Sequence, residues 1–159
     1  REQPESSIRG KVLRTDRGTS WIEAYVTEVV AEAQGSTVVL DKGGPAGSLI
    51  AGLSRAGIAE HVDHRKPQPA GTVRLMGMAD MVRAAGQFHD LVSARAVRHR
   101  GQLGLNVAVG AARKRLLGDA WAWGRTAEGE DITPLVACSL AAWGYATRVE
   151  AQTYQWNIA

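Results

Sequence analysis

The stretch LLGDAWAWGRTAEGEDITPLVACSLAAWGY, Leu116 to Tyr145, changes period in its middle. Its first part, DAWAWGR (residues 119–125), alternates as a strand does and puts Trp121 and Trp123 on one face. After a glycine and an acidic turn, TPLVACSLAAWGYA (residues 133–146) resumes with the spacing of a helix. Glu130 and Asp131 stand at that restart, where Asp131 or Thr133 fits the N-cap and Pro134 the first turn. Asp119 precedes the strand beside Gly118, a place that suits a turn residue. These acids cap a helix and a turn, or they hold a cation. A carboxylate at a helix start can do both, and Mg²⁺ binds through one or two carboxylates plus waters.

Working outward, QLGLNVAVGAARKR (residues 102–115) reads as a helix whose cationic end suits the negative end of its dipole. AVRHRG (96–101) reads as a short edge strand. GMADMVRAAGQFHDLVSAR (77–95) carries Met78, Met81 or Val82, Ala85, Phe88 and Val92 on one face, which predicts an amphipathic helix. RKPQPAG (65–71) is a loop, and IAEHVDH (58–64) a weak strand. PAGSLIAGLSRAG (45–57) is a short helix started by Pro45 and stopped by Gly57. STVVLDKGGPAG (36–47) opens with a continuous β-branched run, the pattern of a strand covered on both faces, and that run ends at Asp41. TSWIEAYVTEVVAEAQG (19–35) is a helix with Thr19 or Ser20 as cap and Gly35 as stop, and SSIRGKVLRTD (6–16) is a strand over Ser7 to Thr15. The tail from Ala146 shows no clear period. Alternating strands and helices predict one α/β domain over residues 1–159, with a mixed or largely parallel sheet covered by helices.

The 159 residues are 45% apolar and 22% charged, enough for one core, and no apolar run is long enough to span a bilayer. The N-terminal REQPESSIRG lacks the apolar centre of a signal peptide, and the lone Cys138 forms no internal disulfide, so a cytoplasmic setting is expected. Net charge is +3, with basic residues grouped in HRKP, RAVRHRG and AARKR, a mild lean toward a polyanion.

Asp41 at the end of a buried strand suits chemistry, since strand ends at the carboxyl edge of a sheet point into a crevice, and it equally suits a turn cap. His61 and His64 have a metal-compatible spacing only on a helix, and their stretch reads as strand or loop; His89 and His99 bring no partner cluster. Cys138 reads as a packing residue. Neither GxxxxGK[ST] nor GxSxG occurs.

Taken in order, VVLDKGGPAGSLI, AAGQFHDLVSARAVRHRGQLGLNVAVGAARKR and LGDAWAWGRTAEGEDITPLVACSLAAWGY resemble the C-terminal nuclease domain of tailed-phage terminase large subunits, above all those of actinobacterial phages and prophages. The resemblance runs from about Lys11 to Tyr145. It implies a ribonuclease-H-like mixed sheet flanked by helices, and a metal-dependent endonuclease that cuts concatemeric double-stranded DNA during packaging. It implies a two-metal site for Mg²⁺ or Mn²⁺, with Asp41 and Asp131 as metal ligands and Asp119 as a third ligand or outer-shell residue. Arg113, Lys114 and Arg115 are then candidate phosphate contacts, against the alternative of a solvated helix end. The implied partners are DNA, the terminase ATPase domain, the small terminase subunit and the portal protein, in the host cytoplasm. The family's first catalytic aspartate is expected on a strand preceding Ser7, before these residues begin, and Asp16 lies in a turn that does not replace it. The alternatives are a catalytically incomplete remnant that binds DNA or a partner, and an unrelated α/β domain whose acids only cap. A two-ion site needs several converging carboxylates, so the expectation is that Asp41 and Asp131 meet at one end of the sheet.

Overall fold

The computed structural model describes residues 8–126 and 129–150; Ser7 and the tail beyond Glu150 lie outside the described residues. Among the described residues are five α-helices and six short strands: β1 (Ile8–Arg9), α1 (Ile22–Glu32), β2 (Val38–Asp41), a 3-10 turn (Pro45–Leu49) running into α2 (Ile50–Arg55), β3 (Val73–Met76), α3 (Met78–Ser93), β4 (Val97–Arg98), α4 (Leu103–Ala111), β5 (Ala112–Leu117), β6 (Ala120–Arg125) and α5 (Thr133–Ala146). The chain is mixed α/β, but the strands pair two by two instead of forming one sheet. β1 lies parallel to β4, β2 parallel to β3, and β5 antiparallel to β6. None of the described helices is long and apolar enough to cross a membrane.

α1 forms where Ile22, Val26 and Val30 recur at helical spacing, and all three pack on a buried cluster of Leu40, Leu49, Leu53, Ile58 and Val73. Trp21 occupies its N-cap position without a side-chain cap, so neither Thr19 nor Ser20 takes the capping role. The chain reverses at Gly35 with φ 85°, a conformation glycine adopts freely. β2 follows as expected and ends at Asp41. Its partner is not IAEHVDH, which contributes only an isolated bridge at Glu60, but the four residues Val73–Met76, which the reading of spacing left without an element. Arg74 interrupts that strand's apolar pattern, yet its guanidinium reaches sideways to donate to Thr147 Oγ1 at 2.9 Å, just past the end of α5.

α3 and α5 form an antiparallel pair. Trp143 near the end of α5 meets Asp80 in the first turn of α3, Leu140 packs with Ala84, and Leu135 packs with Phe88. α5 closes tightly on β2 at Gly144, where a Cβ would come within 2.5 Å of Val39 Cγ1.

The reading of 102–115 as one helix is corrected. α4 stops at Ala111, and Ala112 to Leu117 form β5, paired residue for residue with β6 so that Lys114 faces Trp123 and Leu116 faces Trp121. A two-residue turn, Gly118-Asp119, joins the strands with Gly118 at φ 64°. Arg, Lys and Ala have good helix propensity, but that preference is weak against a preformed hairpin partner. At the other end of the chain, β1 is only two residues long. Beyond it Val12 continues the ladder through a side chain: its N–H donates to Gln102 Oε1 at 2.8 Å and its carbonyl accepts from Gln102 Nε2 at 2.6 Å.

Candidate functional site

Asp41 closes β2 at the carboxyl end of the parallel pair, opposite Met76, and is half-buried. Its placement comes from the local sequence. Val38, Val39 and Leu40 tie the strand into two apolar clusters, and the DKGG turn then bends the chain away. Asp41 Oδ1 accepts the Gly43 N–H at 2.9 Å. Oδ2 lies over Gly44, where a Cβ would stand 2.6 Å from it. Only a glycine at 44 leaves that oxygen in place. The same edge carries Lys42, whose Nζ lies 4.0 Å from where a Cβ on Gly77 would be.

Asp80 also belongs to this end of the sheet, and reading by spacing did not single it out. Its Oδ2 accepts the Gly77 N–H at 3.1 Å, one residue past β3, and its Oδ1 accepts the Trp143 indole N–H at 3.2 Å. The signal was a carboxylate three residues after Gly77 at a helix start, the pattern of a residue reaching back to cap. Both oxygens are engaged, so Asp80 clamps α3 to β3 and to α5.

Asp131 is exposed and lies just before α5; the N-cap position is Ile132, without a side-chain cap, so neither Asp131 nor Thr133 takes that role. Asp131 Oδ1 accepts the Thr133 N–H at 2.9 Å and a very short bond from the Thr133 hydroxyl. Ten residues of α5 separate Thr133 from Trp143, about 15 Å of helix rise. Asp131 therefore sits at the opposite end of α5 from the residues around Asp41. Asp119 lies farther round, exposed at the tip of the β5–β6 hairpin. Among the described residues no group of three or more His, Cys, Asp and Glu side chains is placed to hold one ion. His61 and His64 sit in a loop with ring centroids 5.9 Å apart, and His61 Nε2 and His64 Nε2 face the carbonyls of Lys66 and His61.

The basic run lies on a strand, not at a helix end. Arg113, Lys114 and Arg115 are all exposed along β5. The Arg113 guanidinium donates to the Gly110 and Ala112 carbonyls, which ties it back to the end of α4. Lys114 Nζ sits 4.5 Å from the centroid of the Trp121 ring, close enough for a cation–π contact. Trp121 also meets the His89 ring edge-on at 5.8 Å.

Among the large aromatic residues, Phe88 is buried, whereas Trp143 and Trp121 are half-exposed. Trp123 donates its indole N–H to the buried Ser139 hydroxyl at 3.0 Å, fixing β6 on α5. Cys138 is half-buried beside Trp123, and desolvation pushes its thiol pKa above the ordinary value.

Comparisons with protein-family models, with curated proteins and with solved structures find no match to this chain.

Proposed function

We propose that this chain is a divalent-metal-dependent DNA endonuclease domain of the terminase type, with a ribonuclease-H-like arrangement to which β2, β3 and α5 contribute. The observation that carries the reading is Asp41, a half-buried carboxylate fixed at the carboxyl end of a parallel strand pair, with one oxygen held by Gly43 and the other lying over a side-chain-free Gly44. This fits a hard cation bound by one or two carboxylates, with waters and substrate phosphates completing the shell. Bound there, Mg²⁺ or Mn²⁺ would polarise the phosphate and acidify the attacking water. Asp41 holds the ion, and Lys42 beside it meets a phosphate oxygen. Lys114 and Arg115 hold the DNA backbone along β5, with Arg113 beside them. Asp131, which the resemblance implies as a second ligand, stands at the far end of α5 and does not share this ion. Asp119, at the hairpin tip, faces the same DNA. The ATPase domain, small subunit and portal protein are the partners this reading brings with it.

A second reading, binding without cutting, draws support from Asp131, whose contacts go to Thr133 and which stands a helix length from Trp143.

The experiment is plasmid nicking with Mg²⁺ and then Mn²⁺, run beside gel shifts over a salt series on the same preparations. The endonuclease reading expects metal-dependent nicking lost in Asp41→Ala, with DNA affinity retained. Nicking that survives Asp41→Ala overturns it. Binding without nicking in either metal selects the second reading. The basic strand is tested by Lys114→Ala and Arg115→Ala, each expected to lower the salt slope by about one unit.

A further inference from the structure

The N-terminal segment, α3, α4 and α5 border a groove of about 1240 Å³ whose floor is the apolar cluster of Phe88, Leu105, Leu135 and Ala142. The groove stays apolar where it meets water: Leu13, Val92, Val109 and Tyr145 all line it, each more than half exposed. The charge around it has one sign. Arg9, Lys11 and Arg14 stand along the wall made by the N-terminal segment, and His89 and His99 stand on α3 and just past β4. Among the described lining residues there is no aspartate or glutamate. Arg14 is answered in part by Asp16 beside it, and His89 by Asp90. Arg9 and Lys11 are both exposed, and they are the charges a ligand meets first. We propose that this groove docks a segment of a partner protein that carries large apolar side chains on one face and aspartate or glutamate beside them.

Size, shape and chemistry select that occupant. Small-molecule sites run to about 300–1,000 Å³, so the groove is larger than an acyl chain or a nucleotide fills. An anionic bilayer is flat and does not follow a concave floor. A single-stranded nucleic acid matches the cations but stacks its bases on aromatic faces. The floor here is mainly aliphatic, and Trp123 has its indole N–H committed to Ser139. A peptide helix laid in a groove anchors through apolar side chains at i, i+3 or i+4 and i+7, with its charges left to face the rim. A cationic rim selects an acidic partner, because opposite charges steer the encounter and fix its register while like charges repel. Neither Asp41 nor the basic strand β5 lines the groove, so the proposal does not rest on the endonuclease reading.

The probe is a fluorescein-labelled amphipathic peptide of leucine and glutamate, about four helical turns long, with its leucines at helical spacing. Fluorescence anisotropy follows its binding to the full chain, beside a leucine–lysine peptide of the same pattern. The acidic peptide is expected to bind, and the basic one about tenfold more weakly or less. Arg9→Glu/Lys11→Glu should exchange the two preferences, an outcome that loss of folding does not produce. Val109→Asp, at an exposed position on the groove, should weaken the acidic peptide about tenfold. The same peptide at about ten times its Kd should slow hydrogen exchange at the Ile8, Gly10 and Val12 amides about tenfold, because it bridges the N-terminal segment to α3 and α5 and binds only while that segment is seated. Equal affinity for the two peptides overturns the proposal, as does a preference that Arg9→Glu/Lys11→Glu leaves unchanged. Displacement of the peptide by lauric acid, which gives the groove to a small amphiphile, overturns it too. So does displacement by oligothymidylate, which gives it to a single-stranded nucleic acid, or a dimer that the peptide disperses, which gives it to a second copy.

Discussion

Gly144→Ala tests how tightly α5 is seated. In an isolated helix the change gains about 1 kcal/mol, because alanine is the better helix former by that amount. Here the new methyl would stand 2.5 Å from Val39 Cγ1, with Met76 Cε already in contact at 3.6 Å. Valine is stiff at χ1, so Val39 does not swing aside without leaving its rotamer. Overpacking by one carbon at such a contact costs about 1–3 kcal/mol. The cost exceeds the propensity gain, and the expected net effect is a loss of about 1 kcal/mol. Urea unfolding followed by circular dichroism gives the number, provided the slope is unchanged between variants. The contact is isolated by Val39→Ala, which costs stability by itself but removes the obstructing methyls. In that background Gly144→Ala should stabilise by up to about 1 kcal/mol, a coupling of about 2 kcal/mol between the two sites. A gain of the full helix-propensity value in the native background would refute the argument, since it would mean that α5 does not press on β2 at Gly144.

Asp131→Ala should destabilise the fold by about 1 kcal/mol through loss of its bonds to Thr133 at the start of α5, while Asp131→Asn retains most of them, as thermal unfolding would report. If Asp131→Asn instead abolishes metal-dependent nicking while stability holds, ligation outweighs the bonds to Thr133 there. Ser139→Ala should cost about 1–3 kcal/mol, because it leaves the Trp123 indole N–H without its partner in a half-buried site, and Trp123→Phe in the same background should recover part of that in a double-mutant cycle. Alkylation of Cys138 should show a midpoint above that of a free thiol. The folded state favours the protonated form, so its contribution to stability is complete below the ordinary thiol pKa and declines as pH rises past it; a midpoint at or below the free-thiol value would count against the burial.

The elements readable from sequence are those whose burial writes a period. α1, α3 and α5 each carry an apolar stripe long enough to recognise, and β2 is a continuous β-branched run. β3 was hidden because it is four residues long and holds Arg74, whose fit depends on Thr147, more than seventy residues away. β5 was hidden for a related reason. Ala112 to Arg115 have the composition of a helix end, and only the Gly118-Asp119 turn and the facing Trp121 and Trp123 make them a strand. Expecting one continuous sheet went too far, since alternation of elements says nothing of which strands become neighbours. At the site, the strand-end position of Asp41 was legible from the run before it. Asp80 was not, since its partners Gly77 and Trp143 lie on different elements. That Asp131 would stand at the start of α5 was legible; that Ile132 takes the N-cap position was not, and the distance of Asp131 from Asp41 depends on the packing of α5 against α3, which no local pattern records.

The paired hydrogen bonds between Gln102 and Val12 join residues ninety apart, and the β1–β4 ladder beside them spans almost the same separation. Closing so long a loop earns its contacts late, because its entropy is lost before those contacts form. The N-terminal segment should therefore dock after α3 and α4 have packed, and detach first when the protein begins to open. In native-state hydrogen exchange the amides of Ile8, Gly10 and Val12 should lose protection together, well below the free energy at which the α3–α5 pair opens. Gln102→Ala should lower that threshold for these three amides while leaving those of α3 and α5 unchanged. The molecule is thus two layers in time: a helical centre whose contacts span shorter stretches of chain, and an N-terminal strand laid on afterwards and held at Val12 by the Gln102 side-chain amide.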